Sequence, residues 1–507
     1  MRSWWKAALK VLAGGLASLG GFLSSADAQL PPPGPGGFGP PPGMGMPPGM
    51  GMPPGMGMGM PPGMMGGVPG MPVSGGGMPP GAFGGNPNLG GMPAEFPNPS
   101  TPSRDPVSPF SLRDDGMPGA FTELNDPRPR RPLAYTTTFR AEWLHWWISR
   151  APVAVDLVTT TSNLSLLNDF GALGQNNTQI LVPASSSGID YRGLHGARAT
   201  LGLALGFLPA IELSGISINR NFNVFQGGSN DATGIYLARP VQDAGTGIET
   251  AVQVNVPAGL GFVPLNGFVT VNSRLSIWTV DASTFFNIIE TDALKVDLLF
   301  GYRHADLYES LEISHSSGGF SGAIAFNGGV APLGSSGYVL DVYRTRNGFD
   351  GGQVGFRTVL GFERLSIFSD AKIAFGSTTH TLSIDGSSTL TQPGGGTRTQ
   401  TTLPGGLTAL RSGSGVITKS AFSIVPEANI ALSLQLNPHI RLFGGYNVLF
   451  WSHVARPGDY VNSTIDPRGV PASLFFTPNT GNAPRIPQMS FRDLFAHGVF
   501  AGIEIGF

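Results

Sequence analysis

The chain has 507 residues, among them 75 glycines and 45 prolines but no cysteine, and only 12% of its residues are charged. Its formal charge of -2 argues against nucleic-acid binding, which needs a basic surface. The missing cysteine excludes disulfides, a cysteine-anchored lipoprotein and thiolate metal sites. The composition is therefore that of neither a nucleic-acid-binding protein nor a disulfide-stabilised secreted domain.

The first 28 residues have the three parts of a secretory signal peptide. A basic start is followed by an apolar run at 11–23, and Ala26-Asp27-Ala28 supplies a small-x-small cleavage pattern. The apolar run is too short for a membrane-spanning helix, which needs roughly 20 residues. We therefore predict a signal peptide at 1–28, cleaved after Ala28.

The next segment, residues 29–135, is rich in proline, glycine and methionine. Twelve of the 15 methionines lie between Met44 and Met92, and no apolar periodicity accompanies them. Because proline removes backbone donors and blocks helices, we predict a disordered, low-complexity arm. A flexible spacer is the favoured role, and a Cu(I) site built from methionine thioethers is the alternative.

From residue 136 onward, apolar residues alternate with polar or small ones in segments of strand length. Successive side chains of a strand point to opposite faces, so the segment 197–207 places Leu201 and Leu203 opposite Arg198. Ten such segments are predicted, at 138–148, 197–207, 211–225, 270–288, 294–313, 342–361, 364–379, 420–436, 439–452 and 492–507.

Short and long connections between these segments alternate along the chain. Bacterial outer-membrane barrels have this pattern, with short periplasmic turns and long extracellular loops. We therefore predict an all-β fold for 136–507, a closed antiparallel transmembrane β-barrel of about 10 strands (range 8–12) with long extracellular loops. The loops are rich in Gly, Ser, Thr and Asn, so little material for a second core is expected in them. A soluble, secreted all-β protein is the structural alternative.

The final strand alternates regularly and ends on an aromatic residue. Ile503, Ile505 and Phe507 share one face, and Glu504 lies on the other. This pattern is typical of the closing strand of an outer-membrane barrel. It predicts contact with outer-membrane lipid and with the barrel-assembly machinery through the C-terminal strand, and so a location in the cell outer membrane.

Several blocks of the sequence resemble a planctomycete family of outer-membrane β-barrel porins, the seventh such porin family. The resemblance covers roughly residues 136–507, and its most specific part is Ala455-Arg456-Pro457-Gly458-Asp459 after an aromatic strand. The other blocks are Val425-Pro426-Glu427, 497–504, 141–147, Gly301-Tyr302-Arg303 with Glu309-Ser310-Leu311, and 347–355. The resemblance implies an outer-membrane barrel but supplies no solute and no residue of known role.

Charged side chains are assigned to the barrel interior, because each costs roughly 2–4 kcal/mol at the lipid midplane. The predicted lumen-lining residues are Arg140, Glu142, Arg198, Arg303, Arg357, Glu427, Arg441 and Glu504, and the same face also carries Glu212, Asp370 and Lys372. The predicted lipid-facing or girdle residues are Trp143, Trp147, Leu201, Leu203, Ile503, Ile505 and Phe507.

Two functions follow from this arrangement. The first is a narrow porin-type diffusion channel whose lumen charges set selectivity. The second is a structural or surface-interaction barrel that anchors long extracellular loops, since paired charges can fill the narrow interior of about ten strands. We expect no enzyme activity, cofactor, metal site or nucleic-acid partner, because the histidines lack paired metal spacing. His304 with Asp306 is the nearest approach to a catalytic pair. The solute and the oligomeric state are left open.

Overall fold

The computed structural model describes residues 135–161, 171–175, 177–183, 188–205, 209–229, 235–257, 264–318, 324–394, 397–478 and 488–507. The predicted signal peptide and all but the last residue of the predicted arm lie outside these ranges. In the described part of the chain, no helix has the length and apolar character needed to cross a membrane.

Ten long antiparallel strands close into a barrel. We number them β1 to β10: Tyr135–Ile148, Leu194–Leu205, Ala210–Ser229, Asn266–Glu290, Leu294–Gly318, Ser336–Phe362, Leu365–Gln392, Gly415–Asn437, Ile440–Val454 and Arg492–Gly506. Each strand pairs with the next one along the chain, and β10 closes the circle on β1. The prediction of a closed, antiparallel barrel of about ten strands is confirmed.

The connections differ sharply between the two ends of the barrel. At one end, here called the turn end, neighbouring strands are joined through 206–209, 291–293, 363–364 and 438–439. At the other, the loop end, the connections are 149–193, 230–265, 319–335, 393–414 and 455–491. The predicted alternation of short and long connections is therefore present.

One wall of the barrel is much taller than the other. Strands β4 to β7 have 25, 25, 27 and 28 residues, whereas β1, β2, β9 and β10 have 14, 12, 15 and 15. A tilted strand crosses the hydrocarbon region in roughly 9–11 residues. The tall wall therefore continues well beyond the membrane-spanning height at the loop end.

The loops carry structure of their own, so the expectation that they hold little to form a core is wrong. A sheet of five short strands is built from Val158–Thr161, Thr178–Val182, Leu237–Asp243, Glu249–Asn255 and Thr464–Ile465. A small hairpin joins Ala325–Phe326 to Gly329–Val330, and Thr399–Pro404 pairs with the upper part of β7. Three short 3₁₀ helices lie at Arg411–Gly413, Pro457–Tyr460 and Pro467–Gly469.

The largest apolar cluster fills the barrel at its loop end. Leu144 and Trp146 of β1 and Trp451 of β9 are fully buried there, together with loop residues such as Leu237 and Tyr460. The turn-side half holds most of the interior charges, and the loop-side half contains two buried ion pairs, Arg239–Asp341 and Arg456–Glu309, besides the apolar cluster. Loops fold over the loop-side half and allow it to pack as a soluble protein core does.

Candidate functional site

The candidate site is the charged middle of the barrel interior. All eight predicted lumen-lining residues lie there, and seven of them are no more than 8% exposed; the side chain of the eighth, Arg441, is 14% exposed. Arg303 on β5 bonds Glu427 on β8, and Arg198 on β2 bonds the same carboxylate. Contacts between strands so far apart in the sheet are possible only across the interior.

Six of the interior charges form a layer nearer the turn end. Arg140 Nη2 lies 2.6 Å from Glu212 Oε1, and Arg140 Nε lies 3.7 Å from Glu504 Oε2. Arg357 bonds the same Glu212 at 2.8 Å and Asp370 at 2.6 Å. This turn-side layer has three arginines and three carboxylates, so its formal charge is zero. Its members are Arg140, Glu212, Arg357, Asp370, Arg441 and Glu504.

Six further charges form a second layer, nearer the loop end. Glu427 is its centre, because it accepts from Arg303, from Arg198 at 3.1 Å and from Lys372 at 3.4 Å. Asp281 contacts Arg303 at 2.7 Å and Lys372 at 2.8 Å. This loop-side layer has three cations and three carboxylates and is also neutral. Its members are Glu142, Arg198, Asp281, Arg303, Lys372 and Glu427.

Two small cavities lie beside the two layers in the described part of the chain. One cavity of about 40 Å³ is lined by members of both layers, and a second of about 20 Å³ lies towards the turn end beside Glu212 and Arg357. A buried water needs roughly 10–15 Å³ of cavity volume, so these two cavities hold a few waters at most. Aromatic rings fill further space, and the guanidinium of Arg357 lies 4.1 Å from the ring centre of Phe285.

A second set of buried polar contacts lies on the loop side of the two layers. These contacts hold the loop after β9 inside the loop end of the barrel. Arg456 donates to Glu309 of β5 through Nε and through Nη2, the latter at 2.8 Å. The side chain of Asn347 on β6 donates to the Ala455 carbonyl at 3.0 Å and accepts from the Ala455 amide at 2.8 Å. We call these contacts the loop clamp.

The connection between β1 and β2 also joins the loop clamp. The Tyr191 hydroxyl donates to Glu309 at 2.9 Å and lies 3.2 Å from Ser273 Oγ. Burial, and after it the neighbouring Glu309 carboxylate, raises the pKa of Tyr191 above its ordinary value. Two separate loop segments are thus bonded to one buried carboxylate of β5.

The predicted lipid-facing residues all lie on the opposite strand face from the layers. Trp143, Trp147, Leu203, Ile503 and Phe507 are between 37% and 72% exposed. Leu201 and Ile505 are half-buried.

The two tryptophans belong to an outward band of rings at the loop-side boundary of the apolar belt. Trp143 stacks on His145 and His195, and Trp147 stacks on His497. Sequence reasoning missed these histidines as a group, although His145 lies between the two tryptophans on the same strand face.

Several other functional contacts were also missed. Asp281 was not assigned to the lumen, although it neutralises two cations there. The partners in the loop clamp, Glu309 and Asn347, were not predicted to bond a loop, although both lie in blocks that resemble the porin family. For Arg456 a signal existed, because it lies in the most specific block shared with the porin family.

His304 and Asp306 do not form a catalytic pair. His304 Nδ1 lies 2.8 Å from Asp350, whereas Asp306 bonds Arg346 at 2.7 Å. Among the residues that the structure describes, no group of three His, Cys, Asp or Glu side chains is placed to hold a metal.

Comparison with known proteins gives a family and distant structural likenesses. Residues 139–507 match the model of the family described as "Putative beta barrel porin-7". No curated protein matches the chain. Among solved structures, the chain is similar to the outer membrane protease OmpT from Escherichia coli at 7% identity, with 75% of this chain and 99% of that chain covered and a TM-score of 0.31. It is similar to the P. putida toluene transporter TodX at 8% identity, with 74% and 90% covered and a TM-score of 0.16.

Proposed function

Because the chain belongs to the beta barrel porin-7 family, we propose that it is an outer-membrane β-barrel closed to solutes in its resting conformation, which anchors folded loops at the cell surface. The proposal is non-enzymatic. The observation that carries it is the filled interior. Two neutral layers of paired charges lie on the turn side of it, and the apolar cluster and the loop clamp lie on the loop side.

Energetics support a closed resting state. Removing one partner of a buried ion pair costs about 3–5 kcal/mol, and a path through either layer separates more than one pair. The neutrality of each layer removes the excess of one sign that a steady ion pathway uses. The structured loops supply the surface that a contact function needs.

The location follows from the same proposal. Short turns face the periplasm and long loops face outward in bacterial barrels, so the loop end is assigned to the cell exterior. We assign export to a cleaved signal peptide at 1–28, the role of a flexible spacer to the arm at 29–135, and contact with the assembly machinery to β10.

A narrow diffusion channel is the second candidate function. It is favoured by the porin family and by the cavity of about 40 Å³ that reaches both charged layers. For conduction, the loop clamp must release and the ion pairs must exchange partners, so that the two cavities join.

Conductance of the purified, folded barrel in a planar bilayer distinguishes the two candidates. Folding is checked first by heat-modifiable migration in gels. We expect no steady single-channel steps from the wild-type protein. Repeatable steps would support the channel and contradict the closed barrel.

A matched variant shows that the assay can detect opening. The combination Asn347→Ala, Arg456→Ala, Arg303→Ala and Glu427→Ala releases the loop clamp and removes one cation and one anion from the loop-side layer. The layer stays neutral but loses two long side chains. We expect this folded variant to conduct, whereas the two clamp substitutions alone leave the layers in place and stay silent.

A further inference from the structure

We propose that His145 and His195 form a binding site for a divalent transition-metal ion such as Zn²⁺ on the outward face of the barrel. The two residues are direct cross-strand partners on β1 and β2. Their side chains lie in the outward band of rings, on the opposite strand face from the charged lumen. The proposal is therefore independent of the channel question.

The distance between the two ring nitrogens fits chelation. His145 Nδ1 and His195 Nδ1 are 3.3 Å apart. Zinc binds histidine nitrogen at about 2.0–2.1 Å with tetrahedral angles, which places two such nitrogens about 3.4 Å apart. The same 3.3 Å separation is that of a direct hydrogen bond between the two rings, so an ion that binds both nitrogens replaces this contact without a large movement of either ring.

Neighbouring residues confine both rings. Trp143 stacks against His145 at 5.8 Å and against His195 at 5.6 Å between ring centres, and Trp147 meets His145 edge-on at 4.7 Å. A Cβ on Gly193 would lie 2.3 Å from His145 Cε1, so the ring packs directly over this glycine. Confinement lowers the entropy that the two side chains lose when an ion binds.

The chemistry of the pair selects the class of ion. Imidazole suits Zn²⁺, Ni²⁺ and Cu²⁺, whereas Ca²⁺ and Mg²⁺ need oxygen ligands. The described residues hold no third His, Cys, Asp or Glu in a metal-binding group with the pair. The site is therefore bidentate, with its other positions open to water. His195 is exposed and His145 half-exposed, so an ion can reach them.

Calorimetric titration of the full, folded chain in detergent with Zn²⁺ alone tests the site. The protein is purified through a tag without histidine. Zn²⁺ is chosen because the methionines of the arm favour Cu(I). We expect one saturable equivalent, and we expect His145→Ala and His195→Ala each to weaken binding at least tenfold, or about 1.4 kcal/mol.

His439→Ala is the matched control, because His439 lies at the turn end, where its ring bonds the Gly506 carbonyl. Its binding curve should equal that of the wild type. Heat-modifiable migration confirms that each variant is folded, and electron paramagnetic resonance with Cu²⁺ should show two nitrogen ligands in the wild type and one in each single variant. Unchanged Zn²⁺ affinity in both variants, or an equal loss in His439→Ala, would overturn the proposal.

Discussion

At the scale of single residues, Glu427 bonds side chains of four other strands across the lumen. It accepts from cations on β2, β5 and β7, while Asn447 on β9 donates to the same carboxylate at 3.2 Å. Its negative charge therefore stabilises three positive groups that water cannot reach freely. A buried charge is tolerated only when partners of this kind surround it.

Replacing Glu427 by Gln should destabilise the barrel strongly. The volume is kept, but three cations lose their common anion, so we expect the free energy of unfolding to fall by about 3–5 kcal/mol. Asp385→Asn is the control, because its pair with Arg344 is 2.8 Å long but 42% and 59% exposed, and exposed pairs contribute about 0–1 kcal/mol. Urea unfolding followed by heat-modifiable migration measures both. Equal, small shifts would show that the layer adds little stability.

The sequence predicted which residues face inward but not which residues pair. Glu427 could be placed in the lumen because lipid excludes a carboxylate. Its partners Arg198 and Arg303 are 229 and 124 residues away, and many pairings among mixed charges satisfy the same alternation. Barrel closure and strand stagger decide which of these pairings forms, and neither can be predicted from a local sequence pattern.

At the scale of elements, the seam between β1 and β10 depends on close backbone approach. Gly498 of β10 lies opposite Trp146 of β1. A Cβ added at Gly498 would lie 2.1 Å from the His145 carbonyl oxygen and 2.6 Å from Trp146 Cδ1. Neither neighbour can move without disturbing the strand pair that closes the barrel.

Gly498→Ala should therefore destabilise the seam, whereas Gly361→Ala in β6 should be tolerated. The two changes are chemically identical, but a Cβ at Gly361 meets nothing within 4 Å. Overpacking of this kind typically costs about 1–3 kcal/mol. The fraction of folded protein recovered in membranes and the unfolding midpoint report the difference, and equal behaviour of the two variants would contradict it.

The loop clamp is a second element whose contribution can be isolated. Arg456→Ala leaves Glu309 buried without its cation, so the loop after β9 should detach while the barrel stays folded. Limited proteolysis should then cut within 455–478 in the variant and spare the wild type. Arg468→Ala is the control in the same loop, because its pair with Asp466 is about half exposed on the arginine side. Resistance of Arg456→Ala to cleavage would show that other contacts hold the loop.

Alkaline pH should loosen the part of the loop clamp in which the Tyr191 hydroxyl of the β1–β2 connection bonds Glu309. The folded-state pKa of Tyr191 is raised, so its stabilising effect is complete below the unfolded value of about 10 and is lost as pH rises towards the folded value. Proteolysis of the loops should therefore accelerate above about pH 10 in the wild type. Tyr191→Phe should show a smaller acceleration over the same range. An identical pH response in the two proteins would exclude this tyrosine as the cause.

Strand ends at the loop end were predicted less well than strand number. The segment predicted at 364–379 is observed as Leu365–Gln392. Up to Phe375 its outward residues are apolar except for Ser369, but beyond that point Leu382 and Ile384 are buried inward while Thr381 and Ser383 face outward. The polarity of the strand reverses where lipid ends and solvent begins. A search for an apolar outward face stops at that reversal.

At the scale of the whole molecule, the tall wall and the folded loops make the two ends of the barrel structurally different. The turn end consists of short connections, and the loop end contains a five-stranded sheet, the largest apolar cluster and the loop clamp. The sequence predicted which connections are short and which are long, and the structure has short connections at one end and long ones at the other. The packing of the loops was not predicted, because their apolar residues are spread over distant segments and meet only after the barrel closes.

The orientation can be tested by labelling, because the chain has no native cysteine. Asp385→Cys lies on the outward face of the tall wall, and Arg364→Cys lies in a turn between β6 and β7. A membrane-impermeant maleimide should label the first in intact cells. It should label the second only after the outer membrane is permeabilised. The reverse pattern would invert the proposed orientation.

The neutral layers also bear on the order in which the barrel is completed. Without β8 to β10, the strands already present carry five cations and four anions of the two layers, and Arg198, Arg303 and Lys372 all lack the carboxylate of Glu427. Because unpaired charges are costly to bury, the interior face of such an unfinished sheet must stay hydrated. Only the last three strands, which bring Glu427, Arg441 and Glu504, allow the interior to exclude water. We therefore expect a barrel that lacks its final strands to be less stable than a complete one, because three buried cations then lack their common anion.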